Sequence, residues 1–176
     1  MKFDCHTDSG MLCIWDYDSF KHIHDYNSWE EELCEEKDLE NKVRLANFVP
    51  LNLLADGAFQ VEVRLDKPNF SSREQEYLLV PAQPYRIVTN GVLYVSGLEH
   101  VEGDPCLSAG KIETAPGEYV VQVNMIDWAQ EPGAKDDKGN PSKEALPDLI
   151  VFVFQDPSVT EFRLELETFR REDALR

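Results

Sequence analysis

Residues 76–96, EYLLVPAQPYRIVTNGVLYVS, decide how the rest of the chain is read. Asn90 and Gly91 lie between two runs that alternate apolar and polar side chains. In that setting an Asn-Gly pair supplies both positive-φ positions of a type I′ turn, whose twist matches the strands it joins. The expectation is a tight antiparallel hairpin of 85–89 and 92–96. Residues 77–80 lead into it through a break at Pro81 and Pro84, since proline has no N–H for a ladder.

The same pattern extends outward in both directions. Towards the amino end, 58–65 alternates Phe59, Val61, Val63 and Leu65 with polar residues, and Asp56-Gly57 reads as a hairpin turn joining it to an apolar run over 43–54. Residues 2–5 and 11–15 read as an opening hairpin across HTDSG, with Gly10 available for positive φ. Towards the carboxyl end, 111–113 and 119–127 flank an Ala115-Pro116-Gly117 turn. LIVFVF at 149–154 is apolar on both parities, which places it in a sheet interior or beneath a covering element. TEFRLELET at 160–168 alternates as a charged edge strand would, with a helix as the rival assignment.

Two segments depart from this β pattern. Ser28 followed by Glu31 forms a capping-box pattern and predicts a short acidic helix over 28–41, with Trp29 and Leu33 as its inward stripe. Residues 129–147, rich in Gly, Pro and charge, read as a long mobile loop, and 67–75 as a shorter polar one. The predicted architecture is mainly β, an antiparallel two-sheet β-sandwich with one acidic helical insertion, as a single domain over 1–176.

Charge is the compositional outlier. With 176 residues, 42% hydrophobic, the chain is long enough to bury one core, and its net charge is −17. That charge opposes phosphate-backbone binding, so no nucleic acid is expected as a partner. Over 1–41, Asp and Glu outnumber Lys and Arg by twelve to three. No run reaches membrane-spanning length and no apolar leader opens the chain, so a cytoplasmic location with no membrane association is expected. Cys5, Cys13, Cys34 and Cys106 are widely spaced, and reduced thiols are expected; Cys13 reads as a small buried hydrophobe.

Chemical motifs are sparse. There is no Gly-x-Ser-x-Gly elbow and no cysteine context that lowers a thiol pKa. Gly110-Lys111-Ile112 lacks the earlier glycine, the hydroxyl residue and the following helix of a phosphate loop. These gaps predict a protein that is not an enzyme and needs no cofactor. Asp4, His6 and Asp8 alternate by two, so in an extended segment they share a face and could converge on a divalent cation. His22 and His24 read as solvated residues of a polar connector.

Recognition by surface remains. Trp29, Glu30, Glu31, Glu32, Glu35, Glu36, Asp38 and Glu40 form an acidic stretch that reads either as a solvated helix face or as a patch for a basic protein. In the second case binding energy comes from aromatic anchors such as Trp29, Tyr26 or Tyr17. The alternative is a small-ligand or glycan-binding module with 129–147 as its lid.

Ala55-Asp56-Gly57 entering a strand, Val80-Pro81 ending one, Asn90-Gly91, and Pro116-Gly117-Glu118-Tyr119 entering another occur in an order that resembles the bacterial competence-protein-J group of β-sandwich nuclease inhibitors. The resemblance covers about residues 43–128. It implies an inhibitor or immunity-type protein that occludes a basic, nucleic-acid-cleaving partner, and it transfers no site residue to this chain.

Overall fold

The computed structural model describes residues 1–169. Ten strands occur among them: β1 Lys2–Thr7, β2 Met11–Asp16, β3 Phe48–Asn52, β4 Gly57–Arg64, β5 Leu78–Pro81, β6 Tyr85–Thr89, β7 Val92–Gly97, β8 Gly110–Glu113, β9 Gly117–Ile126 and β10 Leu149–Phe154. They form two sheets. One has the order β1-β4-β10-β9, with β5 and β6 end to end along the free side of β9; the other has the order β3-β2-β7-β8. A single hydrophobic cluster draws on both sheets, with Leu12, Ile14, Leu93 and Val95 from the second and Val61, Val63, Val121, Val123 and Val151 from the first.

The turns behave differently from the expectation. β6 pairs with β9, whereas β7 pairs with β2 and β8, so the strands flanking Asn90-Gly91 lie in different sheets and form no hairpin. Gly91 has φ +120°, but Asn90 is not at positive φ, so a type I′ turn is absent. The same correction applies to β1 and β2 around HTDSG, and to β3 and β4 around Asp56-Gly57. β8 and β9, flanking Pro116-Gly117, also part into separate sheets. Each short turn is an arch that carries the chain from one sheet to the other. The physical reason lies in pleat geometry: alternate residues of both flanking strands are apolar, and an arch lets both apolar faces meet the same core from opposite sides.

β10 confirms its sequence signature. It lies between β4 and β9, and its two faces are buried by different partners. Leu149, Val151 and Val153 join the main core. Ile150 and Phe152 are covered by Phe70, Tyr77, Leu78, Trp128 and Leu146. The β4–β10 pair is parallel, so the sheet is mixed where an antiparallel one was expected.

The covering layer includes residues read as loops. Within 67–75 the helix Ser72–Glu76 begins at Ser71, whose hydroxyl accepts from the Glu74 N–H while the Glu74 carboxylate accepts from the Ser71 N–H. Arg64 ties this helix to the sheet through Glu74 and places its guanidinium 5.7 Å from the Phe152 ring centroid. The long segment 129–147 folds against the same layer instead of standing free. Ala134, Ala145 and Leu146 are buried, Lys135 bridges to Pro141, and Arg73 donates to Glu131 and to the Glu144 carbonyl.

Residues 160–168 form neither strand nor helix. The alternation counted Arg163 as an outward charge, but it is only 3% exposed. Its backbone N–H donates to the Pro84 carbonyl, while Thr168 donates to the Pro50 carbonyl and accepts from the Asn52 N–H. Tyr85 donates to the Glu165 carbonyl at 3.0 Å. One backbone bond and a set of side-chain anchors replace the ladder that an edge strand would have used.

Between β2 and β3 stand three helices, α1 Tyr17–Phe20, α2 Tyr26–Leu33 and α3 Glu36–Arg44. The helix expected over 28–41 is thus two helices, broken at Cys34-Glu35. α2 starts earlier than Ser28 because Asp25 is its N-cap and accepts from the Ser28 N–H at 2.8 Å; Ser28 is the third helical residue. Val43, read as the first residue of a strand, ends the buried face of α3 with Leu39. Phe20, Ile23, Leu33, Leu39 and Val43 all join the main core, so the insertion is packed against the sheets.

Candidate functional site

α2 presents two faces to two environments. Leu33 points inward and is fully buried; Trp29, one turn earlier, is half-buried and donates its indole N–H to the Leu98 carbonyl at 3.1 Å. Tyr26 is on the same side but at the open end, 67% exposed, and its ring stacks on Trp29 with centroids 6.3 Å apart and planes 23° apart. Its hydroxyl donates to Glu30 at 3.0 Å, and that bond, helped by the Glu30 charge, raises the Tyr26 pKa above its ordinary value. An exposed aromatic pair held this way is ordered before any partner arrives.

A cleft of about 360 Å³ opens between the start of α2 and residues 98–102. Ile23, Val101 and Trp29 give it apolar walls, and Asp25, Glu99 and Glu102 place carboxylates around it. Burial raises the Glu99 pKa, but hydrogen bonds from its own N–H, the Asp8 N–H and the Ser9 hydroxyl more than offset that, so it is held below the usual carboxylate value. Asp25 is also lowered, chiefly by the Ser28 N–H that it caps. No Lys or Arg lines the cleft.

The predicted acidic residues separate into two groups. Glu32 is committed internally to Lys42 and His22; burial raises its pKa, but the hydrogen bonds from these two side chains bring it below normal. Glu30, Glu31, Glu35 and Glu36 are exposed, with Asp38 and Glu40 half-buried. Among the described residues no salt bridge reaches Glu30, Glu31, Glu35, Glu36, Asp38 or Glu40, which leaves an uncompensated negative strip next to the Tyr26–Trp29 pair.

Asp4, His6 and Asp8 are not brought together. His6 and Asp8 instead meet Glu99, which sequence spacing could not have found because it lies across the β1–β2 arch; the ligand atoms of these three are within 4.8 Å of one another. Glu99 uses its oxygens to accept from Asp8 and Ser9, so it braces the arch. Asp4 accepts from Gln60 at 3.2 Å and borders a separate cavity of about 280 Å³ beneath the long segment. That cavity also holds Trp128, whose indole donates to Asp148 at 2.7 Å. Its volume is close to the lower end of the roughly 300–1,000 Å³ range of small-molecule pockets, and its lining is more polar than apolar-pocket binding favours. All four cysteines are free thiols, Cys5 and Cys13 buried, Cys34 exposed and Cys106 half-buried. Among the described residues no helix is long and apolar enough to cross a membrane.

No protein-family model matches the chain, and no curated protein matches its sequence. Two solved structures resemble it over nearly their whole length. One is described as crocagin biosynthetic gene J, 16% identical, with 88% of this chain and 94% of that chain covered and a TM-score of 0.53. The other is ComJ from Bacillus subtilis, described as an inhibitor of the DNA degrading activity of NucA; it is 8% identical, with 89% and 96% covered and a TM-score of 0.51. The resemblance carried by Ala55-Asp56-Gly57, Val80-Pro81, Asn90-Gly91 and Pro116-Gly117-Glu118-Tyr119 thus meets a likeness of fold to ComJ.

Proposed function

We propose that this chain is a non-enzymatic acidic binding protein that neutralises a basic nuclease or toxin in the cytoplasm. It docks through the outer face of α2 and α3, on a scaffold in which the two sheets pack as one β-sandwich domain. The observation that carries this reading is the Tyr26–Trp29 stack, open at Tyr26, beside the exposed carboxylates of Glu30, Glu31, Glu35 and Glu36, none of which forms a salt bridge among the described residues. Aromatic residues dominate binding energy at protein interfaces, and complementary charge accelerates encounter and selects the partner. Those two needs are met on one surface. ComJ, which this fold resembles, inhibits the DNA degrading activity of a nuclease, and that supports a protein partner of the same kind.

The test is DNA degradation by the basic protein fraction of the native host, with and without the purified protein. Wild-type protein reduces degradation at low salt. A Glu31→Lys/Glu35→Lys/Glu36→Lys variant associates more slowly by about ten-fold or more, with the deficit shrinking as salt screens the charges. Degradation unaffected by wild type, or reduced equally by the triple variant, removes the reading.

A further inference from the structure

We infer, building on that reading, that the cleft between the start of α2 and residues 98–102 receives an arginine side chain of the basic partner. Three features select this occupant together. Ile23 and Val101 are closed off from solvent, so the accessible apolar surface that suits the stem of a long side chain is that of Trp29 and Tyr26. The stacked rings of Tyr26 and Trp29 offer planar surfaces to a planar cation, and guanidinium stacks on aromatic faces as well as pairing with carboxylates. Asp25, Glu99 and Glu102 supply the negative charge, and no Lys or Arg of this chain lines the cleft to cancel it.

Charge decides against the other occupants. A neutral apolar ligand would strip water from the Glu102 carboxylate without replacing its hydrogen bonds, which is costly. A divalent cation fits less well, because the oxygens of Glu99 already accept from Asp8 and Ser9 and those of Asp25 from Ser28. Lysine carries the charge but is a compact, strongly hydrated ammonium that cannot stack. Among the described residues, Glu102 takes part in no salt bridge, which leaves it open to a guanidinium. His100 stands beside the cleft, its Nε2 3.9 Å from Glu99.

The probe is N-acetyl-arginine amide, titrated into isotopically labelled protein, with the norleucine and lysine analogues as comparisons. Saturable shifts of the Trp29 indole N–H and the Tyr26 and Val101 signals with the arginine compound are expected. The norleucine compound leaves them unmoved, and the lysine compound binds more weakly. Tyr26→Ala and Glu102→Gln each weaken the arginine probe by about two- to five-fold. Both residues are at the surface, and unchanged spectra elsewhere establish that the variants are folded. Absence of saturable shifts, equal response to norleucine, or unaltered arginine affinity in Tyr26→Ala overturns the inference.

This measurement needs no nuclease, so the two readings fail separately. Arginine binding in a protein that inhibits no nuclease keeps the cleft and loses the inhibitory role. Nuclease inhibition that survives Glu102→Gln/Val101→Ala, both in the cleft and outside α2 and α3, keeps the role and loses the cleft.

Discussion

Substitution at Asn90 distinguishes an arch from a hairpin by the order of two variants. In a type I′ turn Asn90 would sit at positive φ, where alanine costs about 1–2 kcal/mol and glycine is accommodated freely. Here Asn90 is not at positive φ, and its side chain donates to Asp18 at 2.9 Å on an exposed surface. Either substitution therefore loses that single hydrogen bond, about 0.5 kcal/mol for an exposed pair. Glycine adds about 0.4–1 kcal/mol, because it frees the unfolded chain without being needed in the folded one. The expected order is wild type, then Asn90→Ala, then Asn90→Gly. Gly91→Ala is worse than either: Gly91 has φ +120° and an added Cβ would stand 3.2 Å from the Thr114 carbonyl oxygen, so about 1–3 kcal/mol is lost. Urea unfolding monitored by tryptophan fluorescence reads all three, with about 1 M in midpoint corresponding to about 2 kcal/mol. If Asn90→Gly proves more stable than Asn90→Ala, the strands on either side are a hairpin and the sheet assignment of β6 and β7 is wrong.

Phe152→Ala should cost about 3–5 kcal/mol in the same assay, since its ring is fully buried, meets Phe70 edge-on at 5.1 Å and lies under Arg64; a loss below about 1 kcal/mol would mean the covering layer is not packed. Glu74→Gln removes the carboxylate that Arg64 and the Ser71 N–H share, and about 1.5–3 kcal/mol should go with it, read as a lower urea midpoint at neutral pH. Asp156 has its pKa lowered from 3.8 to about 2, first by Lys67 and then by Ser158. A depressed folded-state value means that its contribution is present above 3.8 and lost as pH falls through about 2, so Lys67→Met should move its NMR titration upward towards the ordinary value. Burial raises the Cys5 pKa to about 12 and that of Cys13 well above normal. A thiol reagent should therefore titrate Cys34 and Cys106 in native protein and reach Cys5 and Cys13 only after unfolding.

Much of the strand content was legible because alternation reports which side chains face a core, a signal that survives in β4 and β6, while the unbroken apolar run of β10 marks a strand buried on both faces. Alternation is silent on which strand lies next door. Asn-Gly and Asp-Gly mark a reversal, and a reversal between two sheets uses the same flexible residues as one within a sheet. The helix at 28–41 was found from Trp29 and Leu33, but its start was misplaced because Asp25 and Ser28 cap reciprocally, a pattern in which serine occupies the position usually held by Glu. Arg163 defeated the reading of 160–168 because a buried guanidinium looks like a surface charge in sequence. At the site, Tyr26 and Trp29 were visible as anchors beside acids. Glu99, Val101 and Glu102 were not, since their approach depends on the backbone bond from the Gly103 N–H to the Ile23 carbonyl and on the indole bond to Leu98.

The four arches also bear on how this chain reaches its native state. With these four short turns passing between sheets, the consecutive strands that do share a ladder are separated by residues 17–47, 98–109 and 127–148. No sheet ladder can therefore start as a tight local zipper, and although the helices can form early, the first ladder hydrogen bonds must wait for a sizeable loop to close. Folding should accordingly fall among the slow, high-contact-order domains, on the millisecond-to-second scale rather than microseconds. A nascent chain cut before β10 could complete the β3-β2-β7-β8 sheet but would leave β4 and β9 without the strand that lies between them.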